Sequence, residues 1–317
     1  MVEIVRGELI RTDVNPKAMG GTELIAHGLA DRLPIGLLKR CQIIHSRPRE
    51  LQDDLVKILV CHDLPGDPEV KHLQNGGWAK YDHIVFVSNW QMEKYNMILG
   101  VPYSHCSVIP NAIVPLDYRA EKKYDKIRLI YHSTPHRGLN ILNSVFQDIV
   151  LDFPDIHLDV FSSFKLYGWE KRDEPFKPLF DSLKNHSHIT YHGTASNDVV
   201  RAAISKADIF AYPSTWMETS CLCLIEALSA GLLPVIPNYA ALPETSRGFG
   251  LTYQWQEDPD THGDVLYDTL WEAIQLVSDG YDSRVQRETI NNQHNWDNVI
   301  DKWIRVLESV VYKVDMR

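Results

Sequence analysis

No run of about 18 apolar residues occurs in the 317-residue chain, so a transmembrane helix is not expected. Cysteine is scarce as well. Cys41, Cys61 and Cys106 stand alone, Cys221 and Cys223 are two apart, and no CxxC pair offers a zinc site. Five such residues build no disulfide framework and read as buried free thiols in a reducing compartment. The opening MVEIVRGELIRTD is too charged for a secretory leader, so the expected location is cytoplasmic. Neither GxxxxGK nor GxGxxG is present, which leaves no P-loop and no dinucleotide fingerprint for a dehydrogenase. Basic excess is missing too. The 32 Lys and Arg against 42 Asp and Glu give a net charge of -10, which argues against a broad nucleic-acid footprint. No solenoid-period repeat or low-complexity tract interrupts the chain.

What is present is core material: 8 Trp, 14 Tyr and 9 Phe, with 44% hydrophobic residues, rule out disorder as the main state. At about 150 residues per domain the length implies two domains. Residues 1–115 hold 12 basic and 13 acidic residues and the remainder 20 and 29, so the second part carries -9 of the net charge of -10. Apolar runs alternate with helical patterns. The spacing predicts strands over 41–46, 56–62, 83–88, 105–110, 127–133, 156–162, 188–193, 207–214 and 232–237. It predicts helices over 22–33, 89–99, 138–151, 197–206, 221–230, 264–278, 283–293 and 296–311. Such alternation means βαβ units and parallel sheets. Pro110, Pro115 and the charged DYRAEKKYDK place a boundary near 111–126. The chain therefore reads as two Rossmann-like α/β domains with a cleft between them, and ligands of such sheets bind at the carboxyl ends of strands.

The most informative segment is PSTWMETSCLCLIEALSAGLLPVIP, residues 213–237. It leaves one strand and enters another. Ser220 reads as a helix N-cap, with Cys221 to Ala230 helical. Amide groups of Thr219, Ser220, Cys221 and Leu222 would then lie at a helix N-terminus, a ready anion site. Glu218 precedes the helix and Glu226 lies inside it, about 12 Å of helical rise away. One ligand could span both, with phosphates over the helix start and a sugar diol at each carboxylate.

This string resembles the Glu-x7-Glu segment of the retaining glycosyltransferases of family 4, which have the GT-B fold. Pro213, Ser214, Glu218, Leu222, Glu226, Ala227, Ala230, Gly231, Pro234 and Val235 carry the resemblance. IRLIYHSTPHRGLNIL (127–142) is similar to the family's strand, loop, cation and Gly segment. The resemblance assigns Arg137 and Gly138 to the donor diphosphate, with His132 where an Arg often stands. Gly20 and Gly21 resemble the first-domain Gly-Gly loop over donor and acceptor, and His62 resembles a strand-end His near the transferred sugar. FVSNWQ and VIPNAI resemble segments that close the first domain, and His192, Gly193 and Thr194 fall where the family holds the nucleotide base.

The resemblance implies a GT-B protein with three parts: an acceptor-side domain over 1–115, a nucleotide-sugar-binding domain over 116–295, and a helix over 296–317 crossing back to the first. It implies metal-independent transfer of a sugar from a nucleoside-diphosphate sugar, UDP- or GDP-linked, to a hydroxyl acceptor with retention of configuration. Glu218, His62 and Arg137 would be catalytic and Glu226 would hold the ribose. The acceptor would be a glycan, a lipid-linked molecule or a small molecule, with peripheral membrane contact left open. Two other readings share the fold: a sugar-nucleotide epimerase, and a non-catalytic binder of sugar nucleotides or glycans. The sequence also holds two metal-site look-alikes. His188 and His192 would lie about 13 Å apart along a strand, too far for one zinc. Asp258 and Asp260 read as a solvated loop.

Overall fold

Short apolar strands joined by helices pair most simply in parallel, and they do so throughout. The computed structural model describes residues 20–47, 50–116 and 126–316. The charged N-terminal run 1–13 and the middle of the expected boundary, 117–125, lie outside the described residues. The chain divides into two units, residues 1–114 with 293–317, and residues 115–292.

In the first unit, helices α1 (Gly21–Arg32) and α2 (Ile35–Arg40) precede strands β1 (Cys41–His45), β2 (Val56–Cys61) and β3 (His83–Phe86). Helix α3 (Asn89–Leu99) and strand β4 (Cys106–Val108) follow. The sheet order is β1-β2-β3-β4, every pair parallel, with Ile43 opposite Ile58 and Val60 opposite Val85. Every residue of β1 and β3 is buried, the pattern of strands covered on both faces. Helix α3 begins at Ser88, whose Oγ accepts from Gln91 N at 3.1 Å, and stops at Gly100 in the left-handed region.

The last helix, α11 (Trp296–Asp315), belongs to this unit. Its Val299, Trp303, Leu307 and Val310 recur at three- and four-residue steps and join Leu29, Leu33, Ile43 and Val60 in one core. The Arg32 guanidinium lies 4.6 Å over the Trp296 ring, and Arg40 pairs with Asp315.

The second unit has the strand order β10-β9-β8-β5-β6-β7, again all parallel. Its strands are β5 (Ile127–His132), β6 (Ile156–Phe161), β7 (Ile189–Tyr191), β8 (Ile209–Ala211), β9 (Leu233–Pro237) and β10 (Leu251–Tyr253). Between them run α4 (Leu139–Asp152), α5 (Lys177–Asn185), α6 (Asn197–Ile204), α7 (Leu222–Ala230) and α8 (Leu242–Ser246). Helices α9 (Pro259–Ser278) and α10 (Arg284–His294) follow β10. Leu139, Leu142, Phe146 and Ile149 form the buried stripe of α4. From β5 the chain winds out through β6 and β7, then returns to the other side of β5 for β8. That reversal makes the carboxyl ends of β5 and β8 the switch point of the sheet, the place where ligands of such sheets bind.

The periodicity reading differs from the structure where elements are short. α2, α8 and β10 hold three to six residues each, too few to show a period. α5 follows the polar run EKRDEPF, which hides its start. Helix α9 opens at 259 rather than 264 because the Asp258 carboxylate accepts from Thr261 N at 2.9 Å. The first acid of DPD is thus a helix cap.

A Cβ built on Gly28 would lie 2.0 Å from the Trp296 ring, so the contact between α1 and α11 at this point leaves no room for a methyl group. Gly28→Ala should therefore destabilise the first unit by about 1–3 kcal/mol. Thermal unfolding checks it, and an unchanged melting temperature would mean the two helices are not packed as described.

Candidate functional site

The loop after β5 runs from Ser133 to Gly138, and the loop after β8 from Tyr212 to Cys221. They touch at their most constrained points. Gly138 sits at φ 91, and a Cβ there would lie 1.9 Å from the Pro213 carbonyl oxygen. Only glycine meets both demands. Hydrogen bonds stiffen each loop and join the two. Tyr131 Oη donates to the Thr134 carbonyl at 2.8 Å, and Thr215 Oγ1 to the His136 carbonyl at 3.1 Å. Ser214 Oγ accepts from Trp216 N at 3.2 Å and donates to its carbonyl at 3.1 Å.

At this junction lies Glu218, only 5% exposed. Its Oε1 accepts from Arg137 Nη1 at 2.8 Å and from Tyr212 Oη at 2.6 Å. Burial alone would lower the Arg137 pKa, but Glu218 and Tyr212 push it up, so the guanidinium stays charged. Burial and then Glu218 hold the Tyr212 hydroxyl protonated, as a donor. A buried carboxylate is tolerable only with such partners.

Glu226 lies in α7, in the same unit. Its Oε1 accepts from Arg201 Nη1 of α6 at 3.1 Å, and Arg201 Nη2 donates to the Pro115 carbonyl at 3.2 Å. Burial raises the Glu226 pKa, and Arg201 works against it. Helix α7 starts one residue later than the sequence suggests: the N-cap is Cys221, not Ser220, and no side chain caps it. The loop stays extended one residue further, with the Glu218 carbonyl tied to Ala241 N at 3.1 Å. The opening amide groups of α7 thus begin at Leu222, just past Thr219 and Ser220.

His132 ends β5. Its carbonyl accepts from Cys223 Sγ at 2.9 Å, and its ring lies 5.1 Å from that of Phe210. Neither ring nitrogen has a hydrogen-bond partner among the described residues. Burial pushes its pKa down to about 4, so it supplies no positive charge near neutrality.

His192, Gly193 and Thr194 follow β7, two strands from β5. His192 Nε2 lies 2.8 Å from Asp159 Oδ1, and its ring stacks on Phe161 at 4.1 Å with the planes 2° apart. His188 bonds the Ile156 carbonyl instead, so this histidine run does not converge.

Gly20, Gly21 and His62 belong to the first unit. Gly20 is the N-cap of α1 with φ -75, and Gly21 opens the helix. His62 follows β2. Its Nε2 lies 3.0 Å from His45 Nδ1, the two rings stack at 5.3 Å, and its amide donates to Ser46 Oγ at 3.1 Å. Burial holds His62 down to about 4, and burial followed by His62 and His27 lowers His45. Two neutral rings share a single proton across that bond.

The structure thus brings Arg137, Gly138 and Glu218 together. It adds Tyr212, Arg201 and His45, which the sequence did not single out. Tyr212 stands directly before the Pro-Ser pair, a local signal. Arg201 and His45 carry none, because their partners lie 25 and 17 residues away.

Residues 118–249 match the family model of glycosyl transferases group 1. The chain is 23% identical over 167 residues to one of the subunits of human phosphatidylinositol N-acetylglucosaminyltransferase, covering 51% of this chain and 33% of that protein. It is 22% identical over 243 residues to the GPI3 subunit of phosphatidylinositol N-acetylglucosaminyltransferase from Saccharomyces cerevisiae, covering 72% and 51%. The matches span 33% of the human relative's length and 51% of the yeast one's. The crystal structure of a glycosyltransferase from Rickettsia africae is similar with a TM-score of 0.67 at 14% identity, over 92% of this chain and 80% of that one. The fold, with its two parallel-sheet domains, is GT-B.

Two outcomes follow from the site's geometry. Gly138→Ala should cost more than about 2 kcal/mol, the strain of a left-handed alanine plus the contact with Pro213, read as a lowered unfolding midpoint. The second concerns pH. The His132 pKa lies at about 4 in the folded chain against 6.5 ordinarily, so the unfolded chain takes up its proton first. That contribution to stability is present above 6.5 and is lost as pH falls through 4. His132→Leu removes it, so the variant's melting temperature should drop less than the wild type's between about pH 7.5 and about pH 5. Equal drops would place the His132 ring in water.

Proposed function

We propose that the chain transfers a sugar from a nucleoside-diphosphate sugar to a hydroxyl acceptor, with retention of anomeric configuration and without a metal. The observation that carries the reading is the buried Arg137–Glu218–Tyr212 cluster at the switch point of the second sheet, beside the start of α7. The family match over 118–249 takes in each of these residues and Glu226.

In this reading Glu226, paired with Arg201, accepts hydrogen bonds from the ribose diol. Arg137 and the opening amides of α7 hold the diphosphate, whose negative charge grows as the glycosidic bond breaks. Glu218, anchored through Oε1, orients the donor sugar by its hydroxyls. His62, held neutral, meets the sugar or the acceptor as a hydrogen-bonding group rather than as a cation. The leaving phosphate takes the acceptor's proton, so no carboxylate need act as nucleophile. The relatives' names make a nucleotide-linked N-acetylglucosamine the first donor to test and phosphatidylinositol the first acceptor.

Calorimetric titration with UDP-, GDP-, ADP- and CDP-linked sugars in EDTA tests the donor site. One nucleotide class should bind, and Glu226→Gln should weaken it by about tenfold or more. Wild-type protein that binds none of them, or a Glu226→Gln variant that binds as tightly, would overturn the reading. A donor consumed equally with and without any acceptor would favour the epimerase.

A further inference from the structure

The charge at the proposed donor site does not balance. A nucleoside diphosphate brings at least two negative charges. Arg137 is already paired with Glu218, and burial keeps His132 neutral. The site as described has no surplus cation of its own. The neighbouring segment supplies one.

Residues 162–176 leave the carboxyl end of β6, the strand beside β5, and fold into two short 3-10 turns, Phe164–Tyr167 and Glu170–Phe176. Asp173 locks the turns together: Oδ2 accepts from Ser163 Oγ at 2.5 Å and Oδ1 from Phe164 N at 2.8 Å. Trp169 N donates to the Phe164 carbonyl at 3.2 Å and Arg172 N to the Trp169 carbonyl at 2.9 Å. The block leans on the Arg137 loop through aromatic rings. Phe164 stacks on His136 at 5.2 Å, and Trp216, two residues before Glu218, meets the same imidazole edge-on at 5.1 Å. Arg172 stands on this block with its guanidinium 4.3 Å over the Trp169 ring. It is exposed and makes no ion pair among the described residues.

From this placement we infer that Arg172 is the second cation for the donor's diphosphate, completing with Arg137 a clamp that the strand ends alone do not provide. The inference rests on the nucleoside-diphosphate reading of the site. A guanidinium held over an indole by cation–π attraction still has N–H groups to offer phosphate oxygens, since the ring accepts none of them as a lone-pair partner. Arg137 and Arg172 both act on His136: after burial they are the causes that hold its pKa down, to about 4. Two positive groups thus bear on one imidazole, and only Arg137 has a carboxylate to answer it. A purely structural Arg172, shielding Trp169, would affect stability and leave nucleotide affinity alone.

The test is titration of wild type, Arg172→Gln and Arg172→Lys with UDP, GDP, UMP and GMP at two salt concentrations, with melting temperatures as a folding check. For the diphosphate that binds wild type, Arg172→Gln should weaken binding by about tenfold and flatten its salt dependence. Arg172→Lys should recover part of the loss, and the matching monophosphate should change by less than about threefold. A Gln variant that binds the diphosphate as wild type does, or that loses mono- and diphosphate equally, overturns the clamp. Wild type that binds neither diphosphate fails earlier, and takes the donor reading down with the clamp.

Discussion

Glu218 is a carboxylate placed where water hardly reaches, and much of the second unit's loop structure follows from making that tolerable. An unpaired buried charge would cost several kcal/mol, so Arg137 must arrive from the loop after β5 and Tyr212 from the end of β8. Their arrival requires the two loops to meet, and the meeting point leaves no room for any residue larger than Gly138 against Pro213. One electrostatic demand thus fixes a glycine, a tyrosine and the path of two loops, and the strand order of the sheet makes those loops neighbours.

The histidines share a different logic. His45, His62, His132 and His136 are held neutral chiefly by burial rather than by partners. A neutral imidazole is both donor and acceptor, which suits contact with hydroxyl groups. It is a poor neutraliser of phosphate. Within the second unit, His132 and His136 therefore offer no charge, and in the proposed site the diphosphate is left to guanidinium groups.

Much of this architecture was legible in the sequence, because a fully buried parallel strand announces itself as an unbroken apolar run. VKILVC, HIVF, IRLIYH and LPVIP all lie within strands read at nearly the same bounds. The two-loop cluster was partly legible, since Glu218, Arg137 and Gly138 sit in segments with punctuation on either side. The partners were not. Arg201 is one of two charged residues in the short helix α6, and only the packing of α6 against α7 tells it from Asp198. His45 ends a strand as many residues do, and its pairing with His62 depends on the register of β1 against β2. The start of α7 was misread by one residue because a serine is the better cap in isolation, while the tie between Glu218 and Ala241 belongs to the tertiary structure.

The place of α11 in the first unit has a consequence for how the protein is made. Leu29, Leu33, Ile43 and Val60 are covered by Val299, Trp303, Leu307 and Val310, which leave the ribosome only after the whole second unit. At about 5–20 residues per second, the intervening chain takes on the order of ten to forty seconds to synthesise. During that interval the early strands and α1 lack the apolar stripe that α11 lays on them, while the second unit already holds every strand of its own sheet. The later half of the chain is therefore free to fold first. The earlier half must wait, and a chaperone that binds exposed apolar strands during translation would find its site there.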